Sequence, residues 1–307
     1  MGIVDRYALQ IAVLALMPCC PGLTMAATID TTAPMADVHL HYTWDQTGVT
    51  SPEEAIAALK RNNVTLAVVN STPPELALEL NKAGGDWVVP IFGPYLTGAH
   101  RKDWFTDPDI LIAIDKGLAS GQYQGIGEFH LRHVLGPRRD NPVLLGLIEL
   151  GIKYDVPLLI HTEASSEKYF EPLCVEYPKA RFLWAHAGGL LNAEQVGRLM
   201  NKCANVWVEF SARDPWRYIH SPITDDSEGL LPGWVALIKK HPNRFMTGSD
   251  TVWPVDNLHR WDEPDTGWQE IDRFLEFHRK WIDRLPPELA RKVRLDNARA
   301  FFRNPGR

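Results

Sequence analysis

Residues 157–186 have the sequence PLLIHTEASSEKYFEPLCVEYPKARFLWAH, and this segment contains one complete copy of the pattern that predicts the fold. A short apolar run at 157–161 is followed by a helical pattern at 167–177 and then by a second apolar run at 181–186. Short runs that are apolar throughout are typical of strands buried on both faces of a parallel sheet. The stretch therefore predicts a strand–helix–strand unit with two parallel strands.

The same unit recurs on both sides of this stretch. The predicted strands are 36–41, 64–69, 87–92, 123–129, 157–161, 181–186, 205–211 and 244–250. A helical pattern follows each of them: from Ser51, then 74–83, 108–119, 142–154, 167–177, 192–203, 229–240 and 267–283. Eight strands that alternate with eight helices predict an α/β fold of the (β/α)8, or TIM barrel, type. No linker divides the pattern, so we expect a single barrel domain over residues 28–307.

Composition and charge agree with a globular barrel and limit its partners. The chain has 307 residues, of which 45% are hydrophobic and 23% charged. A barrel of this kind needs about 250 residues, so the length allows one domain. The net charge of −6 argues against nucleic acid as a partner, because nucleic-acid binding needs a basic face. We therefore expect a small-molecule substrate.

The first 27 residues resemble a secretory signal peptide. Arg6 precedes an apolar run at 8–17, two prolines follow, and Thr24-Met25-Ala26 supplies small residues for cleavage. The run is too short to span a bilayer. We expect a cleaved signal peptide over residues 1–27, a periplasmic or secreted protein, and no stable membrane insertion after cleavage. An uncleaved interfacial anchor, or a true start at Met25 or Met35, remains open.

Cysteine usage excludes two kinds of stabilising site. The chain has only four cysteines, none of them in a CxxC pair, so it carries neither a disulfide scaffold nor a cysteine-built metal site. Signal cleavage would remove Cys19 and Cys20. Cys174 and Cys203 lie in predicted helices, and we expect two buried free thiols there rather than a bridge.

Histidines and carboxylates recur where the predicted strands end. His39 and His41 are two residues apart on the first strand, so their side chains share a face. The carboxyl ends of the strands form the active-site face of a parallel barrel. Imidazole and carboxylate ligands suit Zn²⁺ first, with Mn²⁺, Fe²⁺ or Co²⁺ as alternatives. We predict a centre for one or two divalent ions, with the ligands His39, His41, Glu128, His161, His186 and Asp250.

The order of these motifs resembles the amidohydrolase superfamily, especially its amidohydrolase-related and TatD-like branches. The matching stretches span residues 37–302. They are DVHLH (37–41), GIGE (125–128), IHTE (160–163), AHAGG (185–189), TGSD (247–250) and LDNARAFF (295–302). The resemblance implies that both residues of the His39/His41 pair hold the more buried metal, with Asp250 as a further ligand and as the general base.

The same resemblance leaves the number of metal ions open. His161 and His186 would hold a second ion, or would orient substrate if only one ion binds. Glu128 would bridge two ions. With one ion, it would instead hold a ligand histidine by its other ring nitrogen.

The site chemistry implied is hydrolysis. A divalent cation lowers the pKa of bound water towards neutrality, and a nearby carboxylate such as Asp250 can act as the base. We expect a metal-dependent hydrolase that activates a metal-bound water to cleave a small ester, lactone, amide or phosphoester. A metal-dependent decarboxylase of the amidohydrolase-related type and a catalytically silent binding protein are the alternatives. A TatD-like nuclease fits poorly with the acidity of the chain and its expected export.

Two arginines near strand ends point to an anionic substrate. Arg132 lies four residues after Glu128, and Arg213 lies two residues after Ser211. A guanidinium group binds a carboxylate or phosphate through two parallel hydrogen bonds. We therefore predict that Arg132 and Arg213 contribute to the catalytic site by binding substrate. The sequence leaves the oligomeric state open.

Overall fold

The computed structural model describes residues 33–131, 136–162, 166–217, 219, 221–252 and 267–302. Within these ranges the strands are β1 (Met35–His41), β2 (Val64–Asn70), β3 (Val88–Pro90), β4 (Ile126–Leu131), β5 (Leu158–Thr162), β6 (Phe182–Trp184), β7 (Val206–Glu209) and β8 (Phe245–Met246). The helices are α1 (Pro52–Arg61), α2 (Glu75–Gly84), α3 (Asp109–Ala119), α4 (Pro142–Tyr154), α5 (Glu171–Glu176), α6 (Ala193–Lys202), α7 (Pro232–Lys240), α8 (Ile271–Ile282), α9 (Pro287–Arg291) and α10 (Asn297–Phe302). Strands and helices alternate as predicted through α8.

Capping residues fix where several helices begin. At α1, the Ser51 hydroxyl accepts from Glu54 N, the Glu54 carboxylate accepts from Ser51 N, and Pro52 takes the first helical position. Asn192 and Gln195 form the same reciprocal cap at the start of α6. These caps set the points at which the loops from the strand ends enter the helices.

All eight strands are parallel and follow one another around a barrel. β1 to β3 form one ladder and β4 to β8 form another. Separate backbone hydrogen bonds join the two ladders at both seams: Phe92 N donates to Gly125 O, and Val38 N donates to Thr247 O, each at 2.9 Å. The predicted (β/α)8 fold class is therefore confirmed.

The barrel interior is apolar before the strands reach the predicted ligands. Alternate side chains of the strands pack there, and Phe301 and Phe302 of α10 belong to the same cluster. The strand residues of this cluster include Ala36, Val38, Leu66, Val68, Val89, Leu159, Leu183 and Met246. Polar side chains inside the barrel therefore come from the carboxyl ends of the strands.

β3, β6, β7 and β8 end earlier than the sequence indicated, and two of these, β6 and β8, precede predicted ligands. β6 ends at Trp184 and β8 ends at Met246. His186 has a φ of 56° and Asp250 a φ of 51°, values in the left-handed region that no strand contains. Both predicted ligands therefore lie on turns just beyond their strands.

The cysteine prediction was wrong. Cys174 and Cys203 form a disulfide, with Cα atoms 5.9 Å apart. Cys174 lies on α5 and Cys203 is the residue after α6, and these neighbouring helices bring the two sulfur atoms together. The contact is tertiary, so spacing along the sequence did not indicate it.

The predicted signal peptide, residues 1–27, lies outside the described residues and stays a prediction. Within the described ranges, no helix combines the length and the apolar character that crossing a membrane requires.

Candidate metal centre

The six predicted ligands come together at the carboxyl ends of the strands. Five of them are buried, and His161 is partly exposed. They come from β1 (His39 and His41), β4 (Glu128), β5 (His161) and the turns after β6 and β8 (His186 and Asp250). Three sets of possible ligand atoms each lie within 4.8 Å of one another: His39/His41/Asp250, His39/Glu128/His186 and Glu128/His130/His161. The contacts of the two Glu128 oxygens divide the six predicted ligands into two groups.

A bulge in β1 directs both of its histidines into the barrel. The pairing of β1 with β2 shifts register between Asp37 and Leu40. Before the bulge, Val38 packs in the interior cluster, whereas Leu40 after it packs outside the barrel against residues of α1 and α8. One extra residue at a bulge changes which side chains face inwards. His39 and His41 consequently share the inner face.

The first ligand group contains four atoms from three strand ends. His39 Nε2 and His41 Nε2 lie 3.0 Å apart. Asp250 Oδ1 lies 3.8 Å from His39 Nε2 and 3.4 Å from His41 Nε2. Glu128 Oε2 completes the group, at 3.6 Å and 3.3 Å from the same two nitrogens.

The second ligand group contains three atoms and uses the other oxygen of Glu128. His161 Nδ1 lies 3.0 Å from Glu128 Oε1, and His186 Nε2 lies 3.4 Å from it. The two imidazole nitrogens are 3.1 Å apart. The Glu128 carboxylate thus faces both groups, with one oxygen directed at each.

These distances and donor types fit divalent metal ions. Tetrahedral coordination with bonds of about 2.0–2.2 Å places ligand atoms roughly 3.3–3.6 Å apart. In the first group the two nitrogens lie 3.0 Å from each other and 3.3–3.8 Å from the two carboxylate oxygens, and the atoms of the second group are 3.0–3.4 Å apart. Several nitrogen and carboxylate lone pairs converge in each group, which a cation between them would satisfy.

A buried carboxylate, Glu209, stands behind the cluster. Its Oε1 lies 3.0 Å from His39 Nδ1 and accepts from His186 N at 2.7 Å, while Oε2 accepts from Ser211 N at 2.6 Å. Sequence reasoning missed Glu209. The available signal was a single carboxylate at the end of an otherwise apolar strand, β7.

Neighbouring histidines lower the pKa of two buried carboxylates, Glu128 and Glu209. Burial alone would raise the pKa of Glu209, but the charge and hydrogen bond of His39 outweigh it and lower the pKa to about 2. Burial also acts to raise the pKa of Glu128, but His39 and the hydrogen bonds of His161 and His186 lower it well below its usual range. His39 in turn has its pKa raised: burial opposes the rise, and Glu128 and Glu209 produce it. Ionised carboxylates are the form that binds cations.

Asp250 is fixed through its main chain. Asp250 N donates to His39 O at 2.7 Å, and the guanidinium of Arg217 donates to Asp250 O at 2.8 Å. Arg217 is buried, pairs with Asp214 at 2.6 Å, and lies 3.9 Å from the centre of the Phe274 ring. The left-handed turn that presents Asp250 is therefore held from two sides.

The structure gives Arg213 a different place from the predicted one. Its five N–H groups donate to protein atoms, namely the carbonyl oxygens of His186, Ala187, Leu191 and Ser221 and the Ser221 hydroxyl. Burial lowers the pKa of Arg213 to about 9. A guanidinium has only five N–H donors, so none is left for a substrate. Arg213 holds the turn after β6, and its contacts give no support to the prediction that it binds substrate. Arg132 lies outside the described residues and stays a prediction.

A tyrosine and a further histidine extend the second group. Tyr95 Oη lies 2.5 Å from His130 Nδ1 and accepts from His130 N at 3.1 Å. The His130 ring lies 4.4 Å from that of His161. Burial first, and then the neighbouring His161, lower the pKa of His130 well below its usual range. A neutral imidazole and a phenol therefore border the second group.

A sequence profile described as Amidohydrolase matches residues 36–303, which is most of the chain. The chain belongs to the amidohydrolase family. A comparison with curated proteins finds no match. Membership of this family supports an enzymatic role, and the ligand groups of this amidohydrolase lie within the matched residues.

Solved structures confirm the barrel. A TatD homologue from Escherichia coli K12 is 17% identical, with 88% of this chain and 98% of that chain covered and a TM-score of 0.57. A zinc-bound amidohydrolase from Burkholderia multivorans is 14% identical over 88% and 99% of the two chains, with a TM-score of 0.53. A 2,6-dihydroxybenzoate decarboxylase complexed with 2,6-dihydroxybenzoate is 12% identical over 88% and 98%, with a TM-score of 0.54. At these identities the likeness shows the fold alone.

Proposed function

We propose that this amidohydrolase is a two-metal hydrolase that cleaves a small ester, lactone, amide or phosphoester. The observation that carries the proposal is Glu128, whose Oε2 belongs to the first ligand group and whose Oε1 belongs to the second. A carboxylate with one oxygen in each group suits a bridge between two cations about 3.5–4 Å apart. A centre for one ion would need the first group alone.

The two groups would hold the ions unequally. The first offers four protein ligands, and the second offers three, which leaves a position for water or substrate. Divalent ions bound there would supply Lewis acidity, which activates water near neutral pH and polarises the oxygen of the bond under attack. The family, the zinc-bound similar structure and the ligand set support divalent metal binding. We propose Zn²⁺, with Mn²⁺, Fe²⁺ or Co²⁺ as alternatives.

Asp250 would carry the proton in this reaction. Its carboxylate would take a proton from the attacking water and return it to the leaving group, which requires a base within hydrogen-bond reach of that water. The contacts of Asp250 with His39 O and Arg217 fix its main chain before substrate binds. A base held in one position needs no rearrangement during the reaction.

The source of the oxygen atom in the product tests this proposal. The full-length chain, reconstituted with Zn²⁺, is assayed in ¹⁸O-water with p-nitrophenyl acetate, a γ-lactone and p-nitrophenyl phosphate. We expect turnover of at least one substrate, one ¹⁸O atom per product molecule, and loss of turnover in Asp250→Asn. Turnover of none of the three, or equal turnover by Asp250→Asn, would contradict the proposed hydrolysis or the proposed base.

Decarboxylation is the second candidate. The structure of 2,6-dihydroxybenzoate decarboxylase with its namesake ligand has this fold, so the barrel also accommodates decarboxylase chemistry in another protein. Incubation of this chain with 2,6-dihydroxybenzoate separates the two candidates. Release of CO₂ together with no hydrolysis in the ¹⁸O assay would favour the decarboxylase, and no activity in either assay would favour a silent binding protein.

We also propose that residues 28–307 form one barrel domain and that the substrate is a small, anionic molecule.

We further propose that residues 1–27 direct export. The Cys174–Cys203 disulfide supports export, because disulfides persist in oxidising compartments. Expression of the chain from Met1, followed by mass spectrometry of the secreted protein, would test whether the first 27 residues are cleaved. We expect a mature chain that begins at Thr28, whereas an intact N-terminus would contradict the signal peptide.

A further inference from the structure

We infer that Glu209 is a positioning residue that prepares both ligand groups. Its carboxylate holds the ring of His39 and the main chain of His186, so that each histidine directs its Nε2 atom at a different group. This role rests on the two-metal function proposed above. It deepens that function by naming the residue that couples the two groups.

The contact with His39 sets the tautomer of its imidazole. Glu209 Oε1 already accepts from His186 N, a main-chain donor at 2.7 Å, so this oxygen acts as an acceptor towards His39 Nδ1 at 3.0 Å. His39 Nδ1 must then carry the proton. The lone pair remains on Nε2, which is the atom that His39 contributes to the first group.

The contact with Ser211 transmits the same effect to His186. Glu209 Oε2 accepts from Ser211 N at 2.6 Å, and Oε1 accepts from the Ser211 hydroxyl at 2.9 Å. The Ser211 carbonyl lies 3.1 Å from His186 Nδ1 and can only accept, so His186 Nδ1 also carries its proton. His186 Nε2 is left for the second group.

Close packing prevents His39 and Glu209 from adopting other arrangements. Both are completely buried. A Cβ atom on Gly248 would lie 2.6 Å from His39 Cβ and 2.9 Å from Glu209 Oε2, so the β8 turn presses directly on the pair. A buried carboxylate needs its hydrogen-bond donors. His39 and the two main-chain N–H groups are consequently held where Glu209 requires them.

Zinc affinity tests the role of Glu209. The full-length chain, freed of metal, is titrated with Zn²⁺ in competition with a chromophoric chelator, for wild type and for Glu209→Gln. The matched control is Glu167→Gln, because Glu167 is also a buried carboxylate but pairs with Arg198, outside the two groups. We expect Glu209→Gln to weaken both Zn²⁺ sites about 10- to 100-fold and Glu167→Gln to bind as wild type does.

The tautomers give a readout that a merely structural role would not change. In ¹⁵N NMR spectra of the metal-free full-length chain, recorded at a pH above the raised pKa of His39 so that its ring is neutral, we expect His39 and His186 with the proton on Nδ1, and a mixed population for His39 in Glu209→Gln. A wild-type His39 with its proton on Nε2 would overturn the inference even if the variant fails to fold. A Glu209→Gln variant with wild-type zinc affinity would also overturn it. A wild type that binds a single Zn²⁺ would contradict the two-metal proposal, while the tautomers would still decide the role of Glu209.

Discussion

The two ligand groups share Glu128 but differ in the number of predicted ligands. In the first, four protein atoms converge, and the His39 and His41 side chains are 0% and 10% exposed. In the second, three atoms converge, and the His186 and His161 side chains are 2% and 14% exposed. A site with three protein ligands keeps a position open, as catalytic sites do. The comparison indicates a first group that would hold an ion with more protein ligands and a second group that would keep a position for water or substrate.

The residues that surround the two groups also differ. Glu209 stands behind both groups, where it holds the ring of His39 and the main chain of His186, while Arg217 holds the Asp250 turn of the first group. Beside the second stand a phenol, Tyr95, and the neutral imidazole of His130. Of these two neighbours, Tyr95 is buried and His130 is partly exposed, so His130 is the one suited to contact with substrate. The predictions below test this division, from the largest expected effect to the smallest.

Removal of the base should have the largest effect on activity. Asp250→Asn keeps the shape of the side chain but cannot take the proton of the attacking water. We expect kcat for the best substrate to fall by about 10²–10⁴-fold, with the fold retained in circular dichroism spectra. Asp272→Asn, at an exposed ion pair with Arg61, is the control. An unchanged kcat in Asp250→Asn would remove it from the proposed role.

Removal of one ligand from each group in turn should have different effects on zinc retention. His39→Ala takes a buried ligand from the first group, and His161→Ala takes a partly exposed ligand from the second. We expect His161→Ala to retain about one Zn²⁺ per chain, held by the intact first group. We expect His39→Ala to bind its remaining ion less tightly than His161→Ala does, because the first group holds more ligands than the second. Metal analysis after gel filtration measures both. Equal retention by the two variants would contradict the division.

A methyl group at Gly248 should disturb the first group from behind. The added Cβ would meet His39 Cβ and Glu209 Oε2. We expect Gly248→Ala to lose about 1–3 kcal/mol of unfolding free energy in urea, since overpacking a filled interior costs that much. Zinc affinity should fall with it. Gly48→Ala, where an added Cβ meets nothing within 4 Å, is the control. Equal stability of the two variants would show that the β8 turn yields easily.

Removal of the disulfide should change stability and leave the centre intact. The Cys174→Ser/Cys203→Ser double variant opens a loop with a sequence separation of 29 residues. Loop entropy predicts a loss of about 3–4 kcal/mol in unfolding free energy. The disulfide lies at α5 and α6, so zinc content and kcat should stay at wild-type values. A loss of zinc at 25 °C, measured in the folded variant, would show that these helices help to shape the centre.

Local patterns were sufficient to predict the barrel and to place its candidate ligands on one face. The alternation of apolar runs with helical patterns indicated all eight strands, and caps such as Ser51-Glu54 marked helix starts. In a parallel barrel the carboxyl ends of the strands share one face, so His39, His161 and Asp250 could be placed together from the sequence. The exact ends of β6 and β8 could not, because left-handed turns at His186 and Asp250 depend on tertiary contacts.

Residues whose partners are brought near only by the fold could not be assigned correctly from the sequence. Arg213 looked suited to bind a substrate anion, but its acceptors are carbonyl oxygens of a turn that no sequence pattern reveals. The Cys174–Cys203 bridge depends on the packing of two helices. Glu209 was recognisable in principle, because a carboxylate in the apolar strand β7 requires a buried partner.

The number of zinc ions per chain tests the central claim most directly. The claim is that the two oxygens of Glu128 serve two ions, one in each group. The full-length protein is stripped of metal, reconstituted with excess Zn²⁺, gel-filtered and analysed for zinc against protein concentration. We predict two Zn²⁺ per wild-type chain, bound in two steps with the first the tighter. One Zn²⁺ per chain at saturation would contradict the bridging role of Glu128 and the division into two groups.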